Sequence, residues 1–278
     1  MAYKRILTIQ DISCVGQCSM TVALPILSAC GHETCILPTA VLSTHTGGFG
    51  KPAVSYLGDT LQDIWHHWQS NEITFDAILV GYLGSISAID TVKAIADSLL
   101  APEGILIVDP AMADHGKLYS GFDSTYAEAM KSLCRKADIV IPNITEAAML
   151  SGAEYREHLS ENYVNRIVCG MNCPRVVLTG VSYSQEETGI VIWEGEALSH
   201  YAHRRIGRSY HGTGDIFAAC FTGALMQEKS LEEAVKLAGD FTCMCIENTY
   251  QNPAHWYGVK FETALPYLIQ QLHEKPAE

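Results

Sequence analysis

Short apolar runs alternate with helix-spaced patterns along most of this chain. Residues 5–10 read as a strand, 19–29 as a helix and 34–40 as a second strand. In 59–70, Leu61, Ile64, Trp65 and Trp68 recur at helical spacing, and 75–81 is again a short buried strand. The same alternation predicts helices over 88–100, 124–135, 145–150 and 160–169, with strands over 104–109, 138–141 and 175–179. Near-continuous apolar strands joined by helices imply a mostly parallel sheet covered on both faces, because each crossover lays a helix on the sheet. The rhythm changes at 189–193 and 197–203. These two runs flank Glu194-Gly195-Glu196 and predict a small antiparallel hairpin. Helices opening at Asp215, Leu231 and Phe261 complete the pattern, and no linker, repeat or charge block divides residues 1–278, which read as one α/β domain.

Composition narrows the partners. A net charge of −13 argues against a nucleic-acid surface, which needs clustered Lys and Arg to meet phosphate. A small anion remains compatible with that charge, since backbone amides hold it without side-chain cations. No run of about eighteen apolar residues occurs, and the first residues lead straight into a strand, so no membrane partner and a cytoplasmic location are expected. The ten cysteines include the pairs Cys14/Cys18, Cys169/Cys173 and Cys243/Cys245. None has metal-finger spacing, and buried free thiols are expected.

The most informative stretch is Arg208-Ser-Tyr-His211-Gly-Thr-Gly-Asp215, followed by the small-residue run from Ala218. Gly212 and Gly214 can both take positive φ and let the backbone approach a ligand, while the helix that follows presents free N–H groups and its positive dipole end. Such a turn binds an anion and fixes a carboxylate beside it. A hydroxyl receiving a phosphoryl group needs that combination, because it loses a proton as charge builds on the phosphate. The pattern is not a Walker loop: His45-Thr46-Gly47-Gly48-Phe49-Gly50-Lys51-Pro52 comes nearest and fails on spacing. Nor is it a dinucleotide fingerprint, since Phe217 stands where the third glycine belongs. Taken alone, Gly-x-Gly-Asp is equally compatible with a plain helix start.

Other segments supply company. In open α/β sheets ligands sit at the carboxyl ends of the strands. Those ends carry Gln10-Asp11, Ser43 to Thr46, Gly81-Tyr82, Asp109-Pro110, Pro142-Asn143 and Thr179-Gly180. Asp109 and Asp114 place two carboxylates just past a buried strand, and Asn143-Ile-Thr-Glu146 puts an amide and a carboxylate on one side of a helix start. Hard oxygen ligands of this kind suit Mg²⁺, directly or through water. A helix cap accounts for Asn143 and Glu146 equally well.

Together these segments resemble the ribokinase-like superfamily, and within it the pyridoxal and pyridoxamine (vitamin B6) kinases. The superfamily likeness is carried by Gly212-Thr-Gly-Asp215 and Asn143-Ile-Thr-Glu146; His45-Thr46-Gly47 and Gly81-Tyr82-Leu83-Gly84 narrow it to B6 kinases. The resemblance implies a three-layer sandwich, a single kinase domain, and ATP-dependent phosphorylation of a vitamer's 5′-hydroxymethyl group. It also implies Mg²⁺, a monovalent cation such as K⁺, and a homodimer. By matching position, Asp215 is implied as the base and Gly212, Thr213 and Gly214 as the anion hole. Asp114, Asn143 and Glu146 would form the Mg·ATP group, with Asp114 and Glu146 reaching the metal through water; Asp109 and Thr179 would flank the phosphates and the monovalent ion, with Tyr119 on a phosphate-side loop. Asp11, Thr46 and Tyr82, with His45 beside them, would make the ring pocket. Many B6 kinases carry serine where Asp11 stands. An ionised aspartate only accepts hydrogen bonds and favours a protonated pyridine, whereas serine can also donate; a loop cap at Asp11 is the other reading. The neighbouring possibilities are a hydroxymethylpyrimidine kinase on the same fold and a non-catalytic vitamer-binding protein.

Overall fold

The computed structural model describes residues 2–208, 210–252 and 254–273; Ser209, inside the glycine motif's approach, lies outside them. The strands are β1 (Arg5–Ser13), β2 (Glu33–Leu42), β3 (Val54–Tyr56), β4 (Phe75–Val80), β5 (Leu100–Val108), β6 (Ala113–Asp114), β7 (Lys117–Leu118), β8 (Ile139–Val140), β9 (Arg175–Val181), β10 (Glu187–Glu194) and β11 (Ala197–Arg204). The helices are α1 (Met20–Ala29), α2 (Gly58–Ser70), α3 (Ile86–Leu99), α4 (Ser124–Cys134), α5 (Ile144–Ser151), α6 (Glu161–Gly170), α7 (Thr213–Met226), α8 (Leu231–Tyr250) and α9 (Leu265–His273). A nine-stranded sheet runs in the order β11-β10-β9-β8-β5-β4-β1-β2-β3. Its centre, from β9 to β2, is parallel. The β10/β11 hairpin extends one edge antiparallel and β3 extends the other.

Alternation along the strands builds the two covered faces. In β1, Leu7 and Ile9 face a core shared with Leu61 of α2, Ile89 of α3, Met130 of α4 and Ile167 of α6. Ile6, pointing the other way, joins a core with Ile26 of α1, Phe217 and Phe221 of α7 and Phe241 of α8. This is the three-layer α/β sandwich that the apolar runs predict, with helices on both faces of a mostly parallel sheet.

Boundaries differ where local chemistry overrides periodicity. The third helix opens at Ile86 rather than 88 because Ser85 caps it, accepting from the Ala88 amide at 3.2 Å. β3 and the β6/β7 pair escape the sequence pattern, being only three and two residues long. Phe261 opens a short 3₁₀ turn, and the last helix follows at Leu265.

Candidate active site

The loops following β1, β4, β5 and β8 gather around the start of α7. Gly212 caps that helix at φ +79°, and a methyl group there would lie 2.2 Å from the carbonyl oxygen of Gln17, so both conformation and space require glycine. Gly214 differs from the sequence expectation: it lies in the first helical turn, not at positive φ. A Cβ there would meet only Asp109 Oδ2 at 3.9 Å, an ordinary contact, so neither conformation nor space demands glycine at this position. The first helical bond runs from the Ile216 amide to Gly212 O at 3.0 Å. The amides of Thr213, Gly214 and Asp215 therefore point out of the helix end, as the first turn of any helix leaves them.

Asp215 stands third in that turn, and its Oδ2 accepts the Ser19 amide at 2.9 Å. Burial pushes its carboxyl up to about 7, the Ser19 amide opposing and the Asp11 charge adding. A carboxylate with that affinity for protons suits general-base work near neutrality. Asp11 is only 4% exposed and accepts the Ser13 hydroxyl at 3.0 Å. Burial raises it, with the hydroxyls of Ser19 and Ser13 holding it down. Ser19 thus acts on both carboxylates, its amide by a hydrogen bond to Asp215 and its hydroxyl by drawing the Asp11 carboxyl down.

Tyr82 lies across from Asp11. Burial pushes its phenol up to about 12, with Tyr56 and Asp11 adding, and its ring stacks on Phe122 at 5.5 Å. His45 lies half-buried on the 43–50 loop with its ring 4.4 Å from that of His211. The Gly47 amide donates to His45 Nδ1 at 3.0 Å, which puts the proton of the neutral ring on Nε2. Thr46 is exposed on the same loop.

The acidic side of the site is built differently from the helix start alone. Asn143 and Glu146 form a reciprocal capping box on α5: Asn143 Oδ1 accepts the Glu146 amide at 3.0 Å, and Glu146 Oε2 accepts the Asn143 amide at 2.9 Å. The same two side chains also brace the neighbouring loop. Glu146 Oε1 accepts from Met112 N at 3.0 Å and Ala113 N at 3.4 Å, while Asn143 Nδ2 donates to Ala113 O at 2.8 Å. Burial drives Glu146 up to about 7 against the pull of these amides. Asp109 is driven well above the usual carboxylate range by burial, then by the charges of Glu146 and Asp215. Asp114 sits on the exposed β6/β7 hairpin, accepting the His115 amide at 2.8 Å, and adds its charge to Glu146. Burial and then the charges of Glu146, Asp109, Asp114 and Asp215 raise the Tyr119 phenol, which is within electrostatic reach of all four carboxylates. Thr179 donates its amide and hydroxyl to Pro142 O at 2.9 and 3.3 Å, tying β9 to the Asn143 turn.

This basin fits a cation that arrives with its own ligands. Among the described residues, no three His, Cys, Asp or Glu side chains are placed to hold a metal together. Among the described residues, no lysine or arginine is a leading influence on Asp109, Glu146 or Asp215. Carboxylates without a closed cage suit a hard divalent cation that keeps waters and takes phosphate oxygens as ligands.

A cavity of about 560 Å³ opens beside the anion turn, lined by Gly180, His203, Arg204, Arg208, Tyr210 and Thr213 among others. Arg208 lies over the Tyr210 ring at 4.9 Å. The sequence reading passed over these arginines, although Arg204, Arg205 and Arg208 supply three of only 18 basic residues just ahead of the glycines. Ser19 carried no signal in its residue type, because its contact with Asp215 is made by the backbone.

Comparison with known proteins agrees with this geometry. The phosphomethylpyrimidine kinase family matches residues 38–259, and the chain belongs to that family. Its fold is similar to the pyridoxal kinase of Lactobacillus plantarum, with a TM-score of 0.88, 32% identity, and 98% of this chain and 99% of that one covered. A Bacteroides thetaiotaomicron protein provisionally described as a phosphomethylpyrimidine kinase, crystallised with pyridoxal, matches with a TM-score of 0.89 at 32% identity over 95% of each chain. The pyridoxal kinase of Arabidopsis thaliana is 26% identical over 249 residues, 84% of this chain and 78% of its own length. The chain is a kinase of the ribokinase-like fold, and the resemblance to B6 kinases read from its motifs is shared by these relatives.

Proposed function

We propose that this protein transfers the γ-phosphoryl group of ATP to the 5′-hydroxymethyl group of a B6 vitamer. The observation that carries the reading is Asp215, a carboxylate raised to about 7, set within the same helical turn as three outward-pointing amides. In this reading Asp215 takes the proton of the hydroxyl, and the amides of the Gly212–Asp215 turn receive the charge that develops on the moving phosphoryl group. The nucleotide occupies the arginine-lined cavity, with its phosphates toward Thr213. Mg²⁺ brought with ATP supplies charge neutralisation on the side of Asp109, Asp114 and Glu146. Glu146 and Asn143 hold the 111–113 loop in place for it, and Asp109 with Thr179 lies where a monovalent cation such as K⁺ would sit. Asp11, Tyr82, His45 and Thr46 surround the pyridine ring.

The same reading takes residues 1–278 as one kinase unit working in the cytoplasm as a homodimer, with ATP and vitamer as its small-molecule partners. The acidic net charge supports the absence of nucleic acid among them. No helix among the described residues is long and apolar enough to cross a membrane.

The family's name favours a second reading, phosphorylation of hydroxymethylpyrimidine. The two share the phosphate machinery and differ in the ring pocket. Incubation with ATP and Mg²⁺, followed by phosphorus NMR and mass analysis of the products, tests the proposal. A 5′-phosphate of pyridoxal, pyridoxamine or pyridoxine supports it, and phosphorylation of the pyrimidine alone overturns it.

A further inference from the structure

Ser19 has a backbone conformation that L-residues avoid, φ +51° and ψ −130°. It occupies the N-cap of α1 yet makes no side-chain cap there. The residues that lead into it, Gly16 and Gln17, are held by packing from two sides. On one, the Gly212 position approaches Gln17 O so closely that a Cβ there would lie 2.2 Å away; on the other, a Cβ on Gly258 would lie 2.7 Å from Gln17 Cβ and 2.8 Å from Gly16 O. Gln17 Nε2 is tied to Glu262 at 2.9 Å, and Gln17 itself is at φ +51°. Strain kept in place by such packing is a feature of sites where a group must be aimed. Here the group aimed is the Ser19 amide, 2.9 Å from Asp215 Oδ2, while the hydroxyl of the same residue favours the charged form of Asp11.

We propose that Ser19 is a positioning residue that fixes the ring-side carboxylate Asp11 and the base Asp215 relative to one another, its amide holding the base and its hydroxyl holding Asp11. The proposal rests on the B6-kinase reading for the identity of the alcohol but not for the amide contact. The consequence is a division of labour within one residue. Losing the hydroxyl loosens Asp11 and changes vitamer binding; displacing the amide turns Asp215 away and removes the hydrogen bond that favours its charged form. Asp215 also faces Asp11 from β1, Cys18 from the 14–19 loop and Asp109 from the end of β5. These are acids or a thiol, so the Ser19 amide is the group opposing their effect on it.

Two substitutions separate the halves. Glycine adopts the Ser19 backbone without strain and keeps the amide, whereas valine is driven out of that conformation and carries the amide away. Ser19→Gly is expected to raise the vitamer KM by about threefold to tenfold, leave the KM for ATP alone and keep the acid limb of the kcat–pH profile where it is. Ser19→Val is expected to lower kcat at pH 7 at least about tenfold and to move that limb to higher pH. Melting temperatures are measured alongside, and Ser19→Thr, also β-branched but keeping the hydroxyl, replaces the valine variant if that one does not fold. Identical kcat–pH profiles for the glycine and β-branched variants overturn the proposal, as does an acid limb that moves in Ser19→Gly. If the unsubstituted enzyme phosphorylates only the pyrimidine, the B6 reading fails by itself. The limb shift is then read on that alcohol and still decides the amide contact.

Discussion

Gly212 and Gln17 are locked together: the carbonyl oxygen of Gln17 occupies the place where any side chain on Gly212 would begin, 2.2 Å from an ideal Cβ. The anion turn is thus seated on the loop that carries Ser19, and phosphate side and ring side are one packed unit. Gly212→Ala is expected to lower kcat/KM by at least about 100-fold, because the displaced turn loses its amide geometry. Gly50, at φ +81° with open space around it, provides the control. Gly50→Ala should cost only about 1–2 kcal/mol of backbone strain and leave kcat near its starting value. Equal losses in the two variants would sink the packing argument.

Asp215→Asn keeps the shape and removes the proposed base. Turnover should fall by roughly 10²–10⁴-fold with little change in nucleotide affinity. A stability signature accompanies it. A carboxyl raised from 3.8 to about 7 binds its proton more tightly folded than unfolded. Its contribution is therefore favourable below about pH 4 and is lost as pH rises through about 7. The ligand-free Asp215→Asn protein should gain stability relative to the unsubstituted one between pH 5 and 8, on the order of 2–4 kcal/mol. Parallel melting curves at both pH values check this.

Glu146 accepts amides from Met112, Ala113 and Asn143. In Glu146→Gln, one oxygen becomes an NH₂ facing N–H donors, leaving a buried amide unpaired at a cost of about 1–3 kcal/mol. The expected outcome is a lower Tm together with a raised Mg²⁺ requirement, since the 111–113 loop is released beside the metal's place. A lower Tm with an unchanged Mg²⁺ titration would confine Glu146 to the capping box.

For Asp11, loss of a charge-assisted bond to the pyridine nitrogen puts roughly 1.5–3 kcal/mol at stake. Asp11→Ser should raise the vitamer KM moderately and Asp11→Ala more, while the KM for ATP stays put. Unchanged vitamer kinetics in both would remove Asp11 from the ring pocket.

Arg208, stacked over Tyr210 in the cavity beside Thr213, should act on the other substrate. Arg208→Ala is expected to raise the KM for ATP about tenfold and leave that of the vitamer unchanged. The reverse pattern would move the nucleotide out of this cavity.

The sheet and its layers were legible because burial on both faces writes itself as apolar runs, as in residues 75–81 and 175–179. Gly212 as the turn into α7 and Asp215 in its first helical turn were legible because a glycine turn and a helix-start carboxylate depend on residue type. Ser19 was not, since it acts through an amide that every residue but proline carries and a conformation its neighbours impose. Asn143 and Glu146 were read as metal chemistry or a helix cap; the structure adds a third use, the bracing of residues 111–113, which needs contacts 30 to 34 positions away in sequence. β3 brings Tyr56 beside Tyr82 through a pairing with β2 too short to leave a pattern.

On the proposed function, the alcohol accepted beside Asp215 belongs to a B6 vitamer. The direct measurement is kcat/KM for pyridoxal, pyridoxamine, pyridoxine and hydroxymethylpyrimidine, each with saturating ATP and Mg²⁺ under one set of conditions. At least one vitamer is expected to exceed the pyrimidine by about tenfold or more, a difference of about 1.4 kcal/mol in transition-state binding. A pyrimidine that outperforms all three vitamers would contradict it.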